Sequence, residues 1–307
     1  MRSVLITGGT GTLGQAIVKN LLAADTERIV VFSRDECKQQ DMRDQISDPK
    51  KRLRYFVGDV RDLLRLKRAF DGVDHVIHAA ALKQIDAMEF NPIEAIRTNI
   101  DGSANVIEAA LDCGVSRTVL VSTDKAQAPT SLYGATKLCA ERLFLASNIY
   151  AGRRNTRFSM VRFGNISFSR GSVIPRWKAI LATGSRVVPV TDPECTRYWI
   201  TAEDCAQYAI NALYADVPHM PSMPAYRVKD LAEAMGAAMM ITGLRPGERL
   251  HEDGSENARL MTVEELKREL AAFDRKAGHQ RSESHQGHSD GRLEGHWKAG
   301  GVCEEIR

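Results

Sequence analysis

Apolar runs long enough to span a bilayer, roughly 18 to 20 residues, are absent from this 307-residue sequence. A membrane-spanning helix is therefore not expected. Neither is a signal peptide or anchor, because Met1-Arg2-Ser3 leads directly into the strand-like Val4-Leu5-Ile6. Excess charge is missing too: the net charge of +3 is spread along the chain rather than gathered in runs. That distribution argues against a nucleic-acid groove or a basic membrane-binding face and leaves small anionic ligands open. Paired cysteines are also lacking. None of the six (Cys37, Cys113, Cys139, Cys195, Cys205, Cys303) stands in a C-x-x-C spacing, so reduced thiols in a cytoplasmic protein are expected. What is present is a 43% hydrophobic share, enough at this length to bury a full core in one large domain or two closely joined ones.

Short β-branched runs alternate with longer helical stretches: Val4 to Thr7, Ile29 to Ser33, Leu53 to Val57, His75 to His78, Thr118 to Ser122 and Phe158 to Arg162. This is the rhythm of an α/β protein with a Rossmann-type, doubly wound parallel sheet. Asn91-Pro92 opens a helix that closes near Gly114. After residue 165 the pattern breaks into short elements punctuated by Gly and Pro. We expect a dinucleotide-binding domain over 1–165 and a smaller C-terminal substrate lobe over 166–275, with helices at Glu203 to Leu213, Val228 to Met235 and Met261 to Ala272. A disordered tail is expected over 276–307. The tail histidines (His279, His285, His288, His296) are irregularly spaced, and no metal site is expected.

Thr7-Gly8-Gly9-Thr10-Gly11-Thr12-Leu13-Gly14 follows the first strand and opens a helix. Glycines there permit a tight turn and close approach of backbone to a pyrophosphate, and the helix N-terminus attracts the anion. Gly8, Gly11, Thr12, Leu13 and Gly14 are the candidate cofactor residues. The second strand ends in Ser33-Arg34-Asp35. Ser33 and Arg34 suit the 2′-phosphate of NADP, while Asp35 is a carboxylate that would suit NAD. Asp59 and Val60 follow the third strand, where a carboxylate can accept from adenine or simply make a turn. Ala79 and its small neighbours after the fourth strand let the backbone approach the nicotinamide ribose, with Lys83 within reach of cofactor or substrate. His78 reads as a packed strand-end histidine.

The most informative stretch is Ser122-Thr123-Asp124-Lys125, followed by Tyr133-Gly134-Ala135-Thr136-Lys137. Tyr133 and Lys137 lie one helical turn apart, so the ammonium can sit near the phenol and stabilise its phenolate. A tyrosinate can take a proton from a sugar hydroxyl while hydride leaves the same carbon. Asp124 and Lys125 would reach the same pocket, and the oxidation alone does not use them.

Together these segments resemble the extended short-chain dehydrogenase/reductase family, and within it the soluble UDP-N-acetylglucosamine 4,6-dehydratases that invert C5. The resemblance runs from about residue 3 to 252. It rests on His78 to Lys83, Ser122 to Lys125, Leu132 to Leu138, Ser169 to Val173 and Arg245 to Glu248. Relatives acting on dTDP-glucose carry an acid where Lys125 stands, so the resemblance implies a UDP-N-acetylhexosamine substrate. It implies that Tyr133, with Lys137 and Thr123, oxidises C4. Lys125, held neutral by burial beside the cationic Lys137 and apolar walls, would remove the C5 proton, and Asp124 would protonate the departing C6 hydroxyl. It further implies substrate contacts from Lys83, Asn165, Ser172, Val173, Arg197, Arg245 and Glu248, the two arginines clamping a diphosphate, and a cofactor-side role for Asn99. Homo-oligomers through the helices at Pro92 and Tyr133 are expected. A UDP-sugar 4-epimerase and a non-catalytic NADP-binding subunit are the alternatives. The chain departs from the family at Gln84-Ile85-Asp86, at Phe163, in a short loop over Val217 to Met223, and after His251-Glu252, where most of a further stretch is missing.

Overall fold

The computed structural model describes residues 1–215 and 218–286. Six strands form one parallel sheet: β1 Ser3–Thr7, β2 Arg28–Ser33, β3 Leu53–Val57, β4 His75–His78, β5 Arg117–Thr123 and β6 Arg157–Phe163, in the order β3-β2-β1-β4-β5-β6. Each expected strand is present, several with an extra residue at an end. The order reverses between β1 and β4, which opens a crevice at the carboxyl ends of the strands.

The sheet is covered on both faces. Within β1, Val4 and Ile6 pack in one apolar cluster and Leu5 in the other, the two-residue alternation of a strand buried on both sides. The first cluster takes in Ile17, Val18 and Leu21 of helix α1 (Thr12–Ala23). The second takes in Leu66 and Phe70 of α3 (Leu63–Phe70), Val106 of α6 (Gly102–Asp112) and Phe144 of α7 (Leu132–Tyr150). Between β2 and β3 runs α2 (Glu36–Gln45). The stretch expected as one helix from Pro92 is instead α5 (Pro92–Ile96), a π-turn at Arg97–Asp101 and then α6, preceded by α4 (Ile85–Phe90). The π-turn presents Asn99, whose amide bonds both the N–H (2.8 Å) and the carbonyl (3.0 Å) of Leu82. A helical irregularity of this kind commonly serves a functional position, and here it pins the loop after β4.

Beyond β6 come α8 (Val173–Ala182), α9 (Ala202–Asn211) and α10 (Val228–Ala234), with two small sheets. Strand β7 (Val187–Val190) pairs in parallel with β10 (Ala238–Ile241). Strand β8 (Thr196–Tyr198) pairs antiparallel with β9 (Ala225–Arg227), which sets Arg197 opposite Tyr226. A bridge from Thr196 to His251 lays the 249–252 segment against β8.

Backbone contacts divide the chain into two units, Met1–Leu266 and Lys267–Arg307. The closing helix α11 runs Val263–Gln286, longer than the Met261 to Ala272 span expected, so helical backbone continues past the point where order was expected to end. Its first part carries Val263, Leu266, Leu270 and Phe273 at helical spacing, with Leu266 and Leu270 buried, and Glu, Lys, Arg and Ala, good helix formers, fill the other positions. The remainder of the tail, with His288, His296 and Cys303, lies outside the described residues, as does Val217. No helix among the described residues is long and apolar enough to cross a membrane.

Candidate active site

One cleft of about 1240 Å³ opens at the carboxyl ends of the strands. The glycine loop lines its cofactor end. Gly8 turns with φ +69°, and a Cβ there would stand 2.9 Å from the Ala80 backbone; one on Gly14 would stand 2.5 Å from Gly9 Cα. These two glycines seat the loop against β4 and the helix against the loop. Gly11 differs, since a Cβ would meet only the Gly8 carbonyl at 3.2 Å and would otherwise project outward. Gly11 caps α1 without a side-chain bond, and no acid sits in the first turn. Free N–H groups and the positive end of the helix dipole therefore face the cleft. Thr12, Leu13, Val60, Ala79 and Ala80 line the same end, and the donor set fits a dinucleotide.

The residues after β2 divide their tasks. Asp35 caps α2 by accepting from the Lys38 N–H at 3.0 Å and pairs with the Lys38 ammonium. Its carboxylate is thereby committed to the protein. Ser33 Oγ accepts from Gln39 at 3.0 Å. Arg34 lines the cleft with its side chain 54% exposed and 3.6 Å from Asp59. Asp59 chiefly holds Arg61, at 2.7 Å. Asn99 is buried behind the Ala79 to Lys83 loop. His78 is fully enclosed between Thr7 Oγ1 (2.7 Å) and Ser103 Oγ (3.1 Å), and burial pushes it down to about 3, so it is the packed neutral histidine expected.

At the chemical end, β5 delivers Thr123, and a 3₁₀ turn at Asp124–Ala126 delivers Asp124 and Lys125. Asp124 Oδ1 accepts from the Thr123 hydroxyl (2.8 Å), the Lys125 N–H (2.9 Å) and Lys125 Nζ (3.1 Å). Its Oδ2 is buried with no partner. Helix α7, capped by Ser131, brings in Tyr133, whose phenol is hydrogen-bonded to Thr123. Burial raises that phenol, while the Lys125 ammonium and the Thr123 bond act to lower it. Lys137 Nζ donates to the Val121 carbonyl at 2.7 Å, and burial lowers it to about 8, Glu141 opposing. Gly134 fits this turn closely; a Cβ would stand 2.2 Å from the Lys125 carbonyl.

Lys125 departs from expectation. Its burial does favour the neutral amine, but the Asp124 and Glu252 carboxylates outweigh that and raise it above its ordinary value. Nζ sits 3.0 Å from Glu252 Oε1 and donates to Asn165 Oδ1 at 2.9 Å. The expected neutral lysine is thus an ammonium held by two carboxylates, and the expected cationic neighbour Lys137 is not what sets its charge.

The substrate lobe contributes the remaining residues. Ser172 caps α8 without bonding its N–H groups, and its Oγ is buried without a partner; Val173 lines the cleft beside it. Lys83 reaches Ser169 at 3.4 Å and is lowered by burial and by Arg170. Arg197 and Arg245 converge on one carboxylate, Glu248, at 3.2 and 3.1 Å. Arg197 also donates to the carbonyls of Thr196, Arg249 and Leu250, so it braces the 249–252 segment, whereas Arg245 is half exposed and also meets Asp86 at 2.9 Å.

Three residues of the site carried no role in the sequence reading. Glu252 is 5% exposed, lines the cleft and contacts both Lys125 and Arg197. Tyr226 is buried against Asn165, its phenol pushed up to about 12 by that burial. Glu141 accepts from Ser122 Oγ (2.6 Å) and from Arg162 (2.6 Å), one helical turn beyond Lys137. Only Glu141 had a local signal, its four-residue spacing from Lys137.

Comparisons with known proteins identify the family. The model of a family described as polysaccharide biosynthesis protein matches residues 4–272. A UDP-N-acetylglucosamine 4,6-dehydratase (inverting) of Campylobacter jejuni is 43% identical over 257 residues, 82% of this chain and 76% of that protein. A UDP-glucose 4-epimerase of Rickettsia conorii is 34% identical, covering 87% and 81%. Among solved structures, Pen from Bacillus thuringiensis superposes with a TM-score of 0.83 at 33% identity, over 88% of this chain and 98% of that one. A dTDP-glucose 4,6-dehydratase of Streptomyces venezuelae with NAD bound shares the fold, with a TM-score of 0.74 at 23% identity over 91% and 98%. On the extent of the family match and the identity to these relatives, the chain belongs to the polysaccharide biosynthesis protein family, within the short-chain dehydrogenase/reductase fold.

Proposed function

We propose that this protein is a nucleotide-sugar 4,6-dehydratase that converts UDP-N-acetylglucosamine to a UDP-4-keto-6-deoxyhexosamine with inversion at C5. The observation that carries the reading is the buried Asp124–Lys125 pair, in contact at 3.1 Å beside Tyr133. An epimerase needs the tyrosine but not the acid and amine. The 43% identity to a dehydratase supports the same choice, and Thr123, Lys125, Tyr133 and Lys137 lining one cleft, with Asp124 buried against Lys125, weigh against a non-catalytic subunit.

A bound nicotinamide dinucleotide supplies the hydride acceptor for C4 and the hydride donor for C6. Tyr133, bonded to Thr123, takes the C4 hydroxyl proton as the ketone forms. The ketone makes the C5 proton acidic. Moving one proton from Lys125 Nζ to Asp124 turns the ion pair into a neutral amine and a carboxylic acid with no change in net charge. The amine then removes the C5 proton, the acid protonates the C6 hydroxyl, which leaves as water, and a solvent-exchanged proton added to the opposite face of C5 completes the inverted product. NADP is favoured over NAD because Arg34 and Lys38 line the cleft where a 2′-phosphate would sit and Asp35 is already committed to the α2 cap. The unpartnered Ser172 hydroxyl, the open start of α8 and the exposed side of Arg245 suit the diphosphate of a UDP-sugar.

We further infer a cytoplasmic homo-oligomer. Cys37, Cys113, Cys139, Cys195 and Cys205 are free thiols, and Phe90, Ile93, Ile149 and Tyr150 leave apolar surface exposed around α5 and α7. Light scattering on the purified protein measures its mass. For the activity, incubation with UDP-N-acetylglucosamine in D2O is followed by mass spectrometry and NMR. A 4-keto-6-deoxy product with deuterium at C5 is expected. Recovery of a 4-epimer that keeps its C6 hydroxyl would identify the epimerase instead, and no product from cofactor-loaded protein would end the proposal.

A further inference from the structure

We propose that Glu252 is a positioning residue for Lys125: through its contact with Nζ it holds the proton on that amine until the elimination half of the reaction. This rests on the dehydratase reading above and adds to it a residue from a different part of the chain. Glu252 Oε1 lies 3.0 Å from Lys125 Nζ and 3.5 Å from Arg197 Nε. Its place is set by strand-like pairing, because Thr196 N–H donates to the Leu250 carbonyl at 3.0 Å and Thr196 Oγ1 meets His251 Nδ1 at 2.8 Å. A carboxylate this buried is tolerated only when paired, and the lobe supplies it to Lys125, a cation from the chemical end.

The charged and titratable groups facing Lys125 come from every element around it: Asp124 from its own turn, Tyr133 from α7, Arg197 from β8, Tyr226 from β9 and Glu252 from the segment bridged to β8. Two carboxylates and two cations balance. For elimination, the Nζ–H bond breaks and an O–H bond forms on Asp124. The amine lone pair then takes the C5 proton, the C5–H electrons become the C5–C6 double bond, the C6–O bond breaks, and the hydroxyl leaves as water with the Asp124 proton. A negative Glu252 opposes the first of these transfers by favouring the ammonium. It keeps the pair in its ion-pair form while Tyr133 works, since the Lys125 charge assists loss of the phenol proton.

The test compares wild type with Glu252→Gln, which removes the charge and keeps the shape, and Glu252→Asp, which keeps the charge on a shorter arm. Reductive methylation by formaldehyde and borohydride is followed at Lys125 by peptide mass spectrometry across pH. The pH of half-maximal reactivity should fall by about one unit in Glu252→Gln, about tenfold more neutral amine at a given pH, and by less in Glu252→Asp. Glu248→Gln, which removes the other carboxylate of Arg197, should leave it in place. The alkaline fall of kcat for the 4-keto-6-deoxy product should move the same way, with KM for UDP-N-acetylglucosamine changing less than kcat. An unmoved Lys125 profile in both Glu252 variants would overturn the inference even if product forms. If wild type forms no such product, the dehydratase reading falls, and the methylation profile alone decides whether Glu252 controls this amine.

Discussion

Replacing Lys137 by Met should make the protein more stable and inactive at once. Lys137 is 4% exposed, and burial lowers its ammonium from 10.5 to about 8. Each pH unit corresponds to about 1.4 kcal/mol, so keeping the folded chain protonated here costs about 3 kcal/mol. The unfolded chain holds this proton up to 10.5 and the folded chain only to about 8. Between those values the unfolded state binds more protons, and wild-type stability rises with pH. The cost is present in full below about pH 8 and is gone above 10.5. Lys137→Met removes it but also removes the 2.7 Å bond to the Val121 carbonyl, worth about 1 kcal/mol. The variant should therefore gain about 2 kcal/mol at pH 7, with the gain shrinking through pH 8 to 10. Urea denaturation across this range, with equal slopes required for the comparison, measures it. A variant less stable than wild type at pH 7, or a difference that does not shrink with pH, would refute the reasoning. Loss of activity despite the added stability would mark Lys137 as a strained functional group.

Phe144→Ala removes a ring that is 0% exposed, stacked 5.9 Å from His78 and edge-on to Phe158 at 5.8 Å; chemical denaturation should show a loss of about 3 to 5 kcal/mol. Arg34→Ala should weaken NADP about tenfold more than NAD, measured by fluorescence titration; equal losses would assign Arg34 to the ion pair with Asp59 alone. Asp86→Ala frees Arg245 from an exposed ion pair worth at most about 1 kcal/mol. Thermal stability should hardly change while UDP binds up to about fivefold tighter by calorimetry, and unchanged affinity would remove Arg245 from the diphosphate site.

The sheet was legible in the sequence because each strand is a short apolar run between helical stretches, and two-sided burial leaves little room for polar residues within it. The glycine loop and the Asp124-Lys125 and Tyr133-Lys137 segments were legible for a similar reason, since their spacing sets their geometry. What was not legible depends on which of several partners a side chain takes. Asp35 looks like a ribose ligand in sequence, but three residues on lies the N–H it caps. The helix through Asn99 looks continuous, yet the buried amide pairing with Leu82 favours a π-turn. The charge of Lys125 depends on Glu252, which no local pattern connects to it.

The segment that ends in Glu252 is held on both sides. Thr130 Oγ1 donates to the Gly247 carbonyl at 2.9 Å, and Arg249 reaches the Ala128 carbonyl, so the segment is tied to the loop between β5 and α7. Arg197 and Thr196 tie it to β8. This bracing delivers Glu252 to Lys125. A carboxylate placed by strand pairing rather than by a free loop is held at a fixed distance from the amine, as a group that governs proton transfer requires. The same bracing explains why Arg197 is more a post than a clamp. Its guanidinium is occupied by backbone carbonyls and two carboxylates, whereas Arg245, paired with Glu248 and Asp86, keeps a half-exposed side chain at the cleft.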